Sequence, residues 1–415
     1  LRIAGKFPNY EETFLRLFDA EQLALNRFLP MKPLFLLAIL LSALLFSCKP
    51  DPVPEPEPEP QPSKYEKNLK PYVDSLLRAE GLPGMAVSVV DAGDTAWHAG
   101  FGFQSLGTPA TPVSQTTRFL LGSTADAVVA AAVMQARAES GLDLDASINA
   151  YLPFAVRHPD FPTAVITLRM LLTHTAGLTD NDSLLRSFYG PGDAAQRLRD
   201  FLRSYLVAGQ PRYAEAHFTA SRPGKTFRYS RIGIALAALV VESRTGIDFD
   251  LYCKTRLFIQ LGFSSVSWFS YDLQPSLLAT GYARVNNAWQ AQPLSGYPMY
   301  PSGQLRISSE LLARYALALL NNGTYGNRQV LSPSDVSELL AVQNAFVAPG
   351  QGLGWRQDTL GGRTVAGLMG SDLGQMSLLY IEPSTGSGVV VLSNGAGNPQ
   401  ALRRVAARAL ALARQ

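Results

Sequence analysis

Phe119-Leu-Leu-Gly-Ser-Thr-Ala-Asp126 decides how this chain is read, because an apolar, alanine-rich helix follows it to about Glu139. Ser123 stands at the start of that helix and Asp126 one turn later, so both side chains reach the same spot. A serine here has two readings: a cap for the first free amides of the helix, or a nucleophile presented on its first turn. Asp126 is expected to be held as an anion by the positive end of the helix, which makes it a weak base. The rest of the chain has to choose between these readings.

Further strings run outward in order. They are Leu82-Pro-Gly-Met-Ala-Val-Ser-Val-Val90, Leu142-Asp-Leu-Asp-Ala-Ser-Ile-Asn-Ala-Tyr-Leu-Pro153 and Ile166-Thr-Leu-Arg-Met-Leu-Leu-Thr-His-Thr-Ala-Gly-Leu178. After them come Pro223-Gly-Lys-Thr-Phe-Arg-Tyr-Ser230, Pro301-Ser-Gly-Gln-Leu-Arg-Ile-Ser-Ser309 and Gly352-Leu-Gly-Trp355. In this order they resemble the β-lactamase-related serine hydrolases, which include class C β-lactamases, penicillin-binding proteins, D-aminopeptidases and esterases. Several long strings in sequence are far more specific than one short motif. The resemblance implies an α+β fold of the β-lactamase/transpeptidase type: an antiparallel sheet flanked by the terminal helices, plus an all-helical lobe. The cleft between lobes is where a ligand is expected.

The resemblance also assigns roles. Ser123 would be the nucleophile, with its own N–H and that of Ser371 forming the oxyanion hole. Tyr229 would pass on the serine's proton. At three positions, however, the chain departs from the family's motifs. The lysine of Ser-x-x-Lys is Asp126, and the asparagine of Tyr-x-Asn is Arg231 in Tyr229-Ser230-Arg231. The third motif reads Leu368-Met369-Gly370, with leucine in place of a histidine or lysine. Arg231 is then the only candidate cation in these motifs, and it cannot act as a base. A salt bridge between Asp126 and Arg231 across the floor of the cleft is expected. His174 is expected to be a structural group in a helix-end turn, and Lys225 a surface residue. Asp143 and Asp145 read as turn and cap residues.

Composition is that of a soluble globular protein, with 47% hydrophobic and 17% charged residues in 415. A formal charge of +3, with no basic run, gives no support for nucleic-acid binding. Only two cysteines occur, so no disulfide framework is implied, and Cys253 reads as a buried helix thiol. No cluster has metal-ligand spacing and no cofactor motif is present.

Met31-Lys32, the apolar run Leu34–Ser47 and then Cys48 resemble a bacterial lipoprotein signal at residues 31–48, with Cys48 lipidated. A transmembrane anchor is the alternative reading of the same run. Residues 1–30 are read as an upstream segment from a start placed too early. Residues 49–64 carry proline at alternate positions, which favours extended polyproline II and hence a stiff tether.

Residues 65–415 form the folded domain. Tyr65–Glu80 is predicted as an amphipathic helix stopped by Gly81, and Met85–Asp91 and Asp94–Gly100 as a hairpin. From Arg118 to about Leu340 the chain reads as mostly helical, with Ile232–Glu242 and Ser308–Asn321 the clearest helices. Strands return at Arg363–Gly367, Met376–Ile381 and Gly388–Leu392, and Ala401–Gln415 closes the chain as a helix.

These features predict a lipid-anchored protein of the bacterial cell envelope, on its periplasmic or cell-surface face. Its domain would be a catalytically impaired serine hydrolase, a pseudoenzyme binding a peptidoglycan-derived or small-molecule ligand or a protein partner. The alternative is an active esterase, D-aminopeptidase or carboxypeptidase using Ser123 and Tyr229. Asp126 is expected to disfavour anionic substrates such as penicillins.

Overall fold

Pro71 divides the first expected helix in two. Having no N–H, it cannot continue the ladder from the preceding turn, and the chain forms α1 (Lys64–Asn68) and α2 (Lys70–Glu80) on either side of Leu69. Gly81 then closes α2 at φ 57°, with its N–H on Arg78 and Leu77 carbonyls. The structure, a computed structural model, describes residues 62–415. The upstream segment, the signal-like run, Cys48 and the tether up to Gln61 lie outside the described residues.

A seven-stranded antiparallel sheet forms the frame. Its strands are β1 (Gly84–Asp91), β2 (Asp94–Ser105), β3 (Thr111–Pro112), β4 (Arg356–Leu360), β5 (Arg363–Asp372), β6 (Gln375–Glu382) and β7 (Ser387–Ser393). They lie side by side in the order β4-β5-β6-β7-β1-β2-β3. Ala92 and Gly93, both at positive φ, make the tight β1–β2 turn. Strand β4 was not foreseen, because Arg356-Gln-Asp-Thr-Leu360 carries one apolar residue and sits at the sheet edge. Strand β5 runs five residues past its expected end, so the whole Leu368–Ser371 motif is strand.

Both faces of the sheet are covered, which is why its central strands read as continuous apolar runs. Met85, Val87, Val89, Leu378, Val389 and Val391 turn to the terminal helices, packing with Leu69, Val73, Leu402 and Val405. The last two belong to the C-terminal helix, Pro399–Leu412. Ala86, Val90, Leu379, Val390 and Leu392 face the helical region instead. That region is built around α3 (Asp126–Ser140), α4 (Leu168–Leu172), α5 (Asp182–Arg186), α6 (Arg231–Thr245) and α7 (Ser309–Leu320). Helices α3 and α6 are buried nearly throughout and pack on each other. The site therefore stands on their N-terminal ends, against β5. Among the described residues no helix is long and apolar enough to cross a membrane.

Candidate active site

Ser123 does not cap the helix. It lies in a 3-10 turn, Gly122–Ala125, and the cap of α3 is Ala125, which makes no side-chain bond to the helix. The turn is pinned from several sides. Leu121 N–H donates to Leu305 O and Gly122 N–H to Gly303 O, each at 3.0 Å. Ser377 Oγ on β6 lies 2.5 Å from Leu121 O and 2.7 Å from Thr124 Oγ1. Strand β5 presses directly on the turn: a Cβ at Gly370 would stand 2.2 Å from Leu121 O and 2.8 Å from Ser123 N. At Gly122 (φ 55°) a Cβ would stand 2.8 Å from Ser371 N. Glycine at both positions brings the amides of Ser123 and Ser371 to the same end of the cleft, where Ser123 and Ser371 both line it.

Tyr229 reaches the turn from the start of α6. Ser230 caps that helix, accepting Gly233 N–H at 3.0 Å, and this directs the preceding tyrosine toward α3. Tyr229 Oη lies 2.8 Å from Ser123 Oγ and 2.9 Å from Asp126 Oδ2. The phenol has one hydrogen, so it donates to only one neighbour and accepts from the other. Burial, and then the Asp126 charge, push the Tyr229 hydroxyl well above its usual range.

The surroundings of Asp126 oppose the anion expected there. Its side chain is 1% exposed, and Oδ1 has no hydrogen-bond partner among the described residues. Burial raises its carboxyl well above the ordinary range; Asp180 adds to this, while the Tyr229 hydrogen bond and Arg231 oppose it. The helix dipole does not offset the burial, because the carboxylate turns to the tyrosine rather than back to the first free amides. Its surroundings thus favour the protonated carboxyl over the fixed charge.

His174 is the nearest other titratable group, with Nε2 4.0 Å from Asp126 Oδ2. It closes α4 in the left-handed region at φ 56°, and Nδ1 accepts the Ser230 N–H at 3.4 Å. Burial lowers its pKa to about 3. The neutral ring therefore carries its proton on Nε2, a bracing role with no basic nitrogen free for Ser123.

Arg231 does not meet Asp126, and the expected salt bridge is absent. Its Nη2 lies 2.7 Å from Asp182 Oδ1, its Nε 3.5 Å from Asp180 Oδ2, and its Nη1 donates to Tyr189 Oη at 3.0 Å. The reason is local. Asp180 caps the start of α6, accepting the Ser230 hydroxyl at 2.7 Å and the Arg231 N–H at 2.8 Å. The guanidinium follows these acids toward the cleft mouth, leaving the short Asp126 side chain behind Tyr229.

The cleft itself has a volume of about 880 Å³. Beyond the motif residues its walls include Asp180, Arg186, Tyr189, Phe227, Arg228 and Asp372. Asp372 Oδ2 accepts the Tyr297 hydroxyl at 2.7 Å and lies 3.2 Å from Tyr189 Oη. Arg186 and Arg228 make no ion pair among the described residues, whereas Arg231 is paired with Asp180 and Asp182. Asp180 and Asp372 were missed because Thr179-Asp-Asn-Asp182 reads as a turn and Asp372 lies beyond the expected end of β5.

Leu368 is half-buried against the helical core, and Met369 lies on the other face of β5. Lys225 is exposed and does not line the cleft. Asp145 holds Arg169 through two bonds of 2.7 Å, and Asp143 Oδ1 accepts the Asp145 N–H in a turn. Cys253 is buried, its thiol pushed up by desolvation. Among the described residues no cluster of three or more His, Cys, Asp or Glu could hold a metal.

Comparison with known proteins agrees with this architecture. The profile of the family described as Beta-lactamase matches residues 67–414. Penicillin-binding protein 4 of Amycolatopsis lactamdurans is 28% identical over 338 residues, 78% of this chain and 83% of that protein. The unguisins hydrolase ungD' of Aspergillus campestris is 27% identical over 333 residues, 75% of this chain but only 58% of that protein. Penicillin-binding protein 4* of Bacillus subtilis is matched over 41% of its length. Among solved structures, a class C β-lactamase superposes with a TM-score of 0.67 at 19% identity, covering 85% of this chain and 98% of that one. The penicillin-binding protein from Bacillus halodurans gives 0.65 at 24%, covering 82% and 99%. At these identities the structural likeness speaks for the fold.

Proposed function

The chain belongs to the β-lactamase family of serine hydrolases, and on that premise we propose a cleft that binds acyl compounds and turns them over slowly. One observation supports this reading: Tyr229 Oη is bracketed by Ser123 Oγ at 2.8 Å and the Asp126 carboxyl at 2.9 Å. The family's mechanism needs a cation beside that tyrosine to make it a base. The cation of this motif, Arg231, is bound to Asp180 and Asp182 instead. Backbone oxyanion donors do not depend on those side chains, so affinity for a carbonyl oxygen outlasts rapid turnover. Relatives named for penicillin binding and for the hydrolysis of unguisins support a cleft that binds and hydrolyses small molecules.

Incubation of the purified domain with a fluorophosphonate and with a fluorescent penicillin tests this. Slow fluorophosphonate labelling of Ser123, absent in Ser123→Ala, and no accumulation of penicilloyl-protein are expected. Rapid stoichiometric labelling by penicillin would overturn the reading.

Lipidation of Cys48 and a proline-rich spacer would place this cleft at a membrane surface of the envelope. Loss of the protein from the detergent phase on Cys48→Ala is the expected result, and unchanged partitioning would remove the anchor from the proposal.

A further inference from the structure

We propose that Asp126 is the terminal proton acceptor of a Ser123–Tyr229–Asp126 relay, standing in by a different chemistry for the lysine of the motif. This rests on the acyl-serine reading above and says what drives its slow turnover. The geometry carries it. Ser123 Oγ, Tyr229 Oη and Asp126 Oδ2 form one continuous chain with steps of 2.8 and 2.9 Å. Asp126 Oδ2 has no hydrogen bond other than to Tyr229, and Oδ1 has none at all among the described residues. A purely structural buried carboxyl would be expected to satisfy both oxygens. This one is aimed at a single hydroxyl that is itself aimed at the nucleophile.

The groups facing Asp126 come from each neighbouring segment: His174 at the end of α4, Asp180 beyond it, and Tyr229 and Arg231 at the start of α6. His174 stays neutral over the useful range, Asp180 is engaged as the cap of α6, and Arg231 is engaged at the mouth. Tyr315, packed on the same helix, donates its hydroxyl to Ala127 O at 2.8 Å. Asp126 is therefore the group placed to titrate against Tyr229.

With Asp126 ionised, Tyr229 donates its proton to Oδ2 and accepts one from Ser123. As Ser123 Oγ bonds the ester carbonyl carbon, its proton passes to Tyr229 Oη and the phenolic proton passes to Asp126 Oδ2. The carbonyl π electrons move onto the oxygen held by the Ser123 and Ser371 amides. Collapse breaks the C–O bond to the leaving group, which takes a proton back through Tyr229, so Asp126 is again a carboxylate. Water repeats the sequence on the acyl-serine and releases the acid. With Asp126 protonated, its proton occupies the path and the relay is closed. Turnover should therefore open as pH rises through the ionisation of this buried acid.

The test is the rate of Ser123 acylation by p-nitrophenyl butyrate, a neutral ester, from pH 5 to 10. It is measured in wild type, Ser123→Ala, Asp126→Asn and Tyr229→Phe. The wild-type rate is expected to rise through one ionisation above the ordinary carboxylate range. In Asp126→Asn and Tyr229→Phe that limb should vanish, with a fall of roughly 10- to 100-fold at its plateau, while circular dichroism stays native. The double variant should be no slower than either single one, because both break the same chain. Tyr229→Phe keeps the test decisive if Asp126→Asn folds poorly. A wild-type profile retained in Asp126→Asn, with activity lost in Ser123→Ala, overturns the relay alone. Equal rates in Ser123→Ala and wild type overturn the acyl-serine reading and the relay with it.

Discussion

Arg231 Nη2 lies 2.7 Å from Asp182 Oδ1, so the arginine that replaces the motif's asparagine serves the rim of the cleft rather than its floor. Its contribution to stability follows from that position. Asp182 is 72% exposed, and an exposed pair of this kind is worth at most about 1 kcal/mol. The bonds to Asp180 and Tyr189 are better shielded. Arg231→Ala is therefore expected to cost about 1–3 kcal/mol in urea unfolding. A buried pair with Asp126 would cost roughly 3–5 kcal/mol. A double-mutant cycle should couple Arg231 to Asp180 more strongly than to Asp126.

Two buried groups near Ser123 make stability depend on pH in opposite directions. The Asp126 carboxyl is raised in the folded state. Its favourable contribution is therefore complete below the unfolded value of about 3.9 and is lost as pH rises through the folded value. Asp126→Asn should gain on wild type steadily from pH 4 upward. The His174 pKa falls from 6.5 to about 3. Its contribution is present above pH 6.5 and is lost as pH falls through that window, on the order of a few kcal/mol. His174→Gln should flatten the acid limb. Unfolding midpoints across pH 3–9 for the three proteins test both signs, and parallel curves would contradict them.

Much of this was legible in the sequence for definite reasons. A local device such as the Gly81 stop could be read from the sequence, and the central strands show their burial directly. Ser123, Tyr229 and Gly370 meet as the motifs imply, because glycine pairs and helix starts fix backbone positions whatever the neighbouring side chains become. Side-chain pairing was not legible. Asp126 and Arg231 carry opposite charges at facing motif positions, yet the partner of Arg231 was decided by Asp180, fifty-one residues away in a loop that reads as a turn. Opposite charge also said nothing about burial, which pushes the Asp126 carboxyl up.

Gly370 is the test of how closely β5 must approach the nucleophile turn. An added methyl would meet Leu121 O at 2.2 Å and the amides of Ser123 and Thr124 at 2.8 Å. These are backbone atoms and cannot rotate away. Gly370→Ala should destabilise the domain by about 1–3 kcal/mol and slow fluorophosphonate labelling of Ser123 more than Leu368→Ala does. Leu368 packs into the core away from the cleft wall. Equal labelling rates in the two variants would mean that the Ser371 amide is not needed.

Arg228 and Arg186 should set the charge preference of the ligand. Both line the cleft without an acidic partner among the described residues, whereas Asp180, Asp182 and Asp372 are engaged with Arg231 or tyrosines. A carboxylate on the acyl chain is expected to improve kcat/KM relative to its methyl ester. Arg228→Glu should reverse that order by about 10-fold or more through KM, and the preference should weaken with added salt. An order indifferent to both the substitution and the salt would assign the two arginines to the surface alone.

Asp126→Lys asks whether the family's own chemistry can be rebuilt on this scaffold. A lysine at this position starts from the same helical turn, one turn from Ser123, and its ammonium would approach Tyr229 Oη where the carboxyl now lies 2.9 Å away. A cation there favours the phenolate, whereas Asp126 holds the phenol protonated. Labelling of Ser123 by a fluorophosphonate at neutral pH should rise by at least ~10-fold. The rising limb of the pH profile should then belong to tyrosine rather than to an acid. Arg231→Asn should add little to this gain, because Arg231 is held by Asp180 and Asp182 and takes no part in the floor of the cleft. If Asp126→Lys gains activity only together with Arg231→Asn, the two positions are coupled after all, and the separation of cleft floor from cleft rim described by these distances fails.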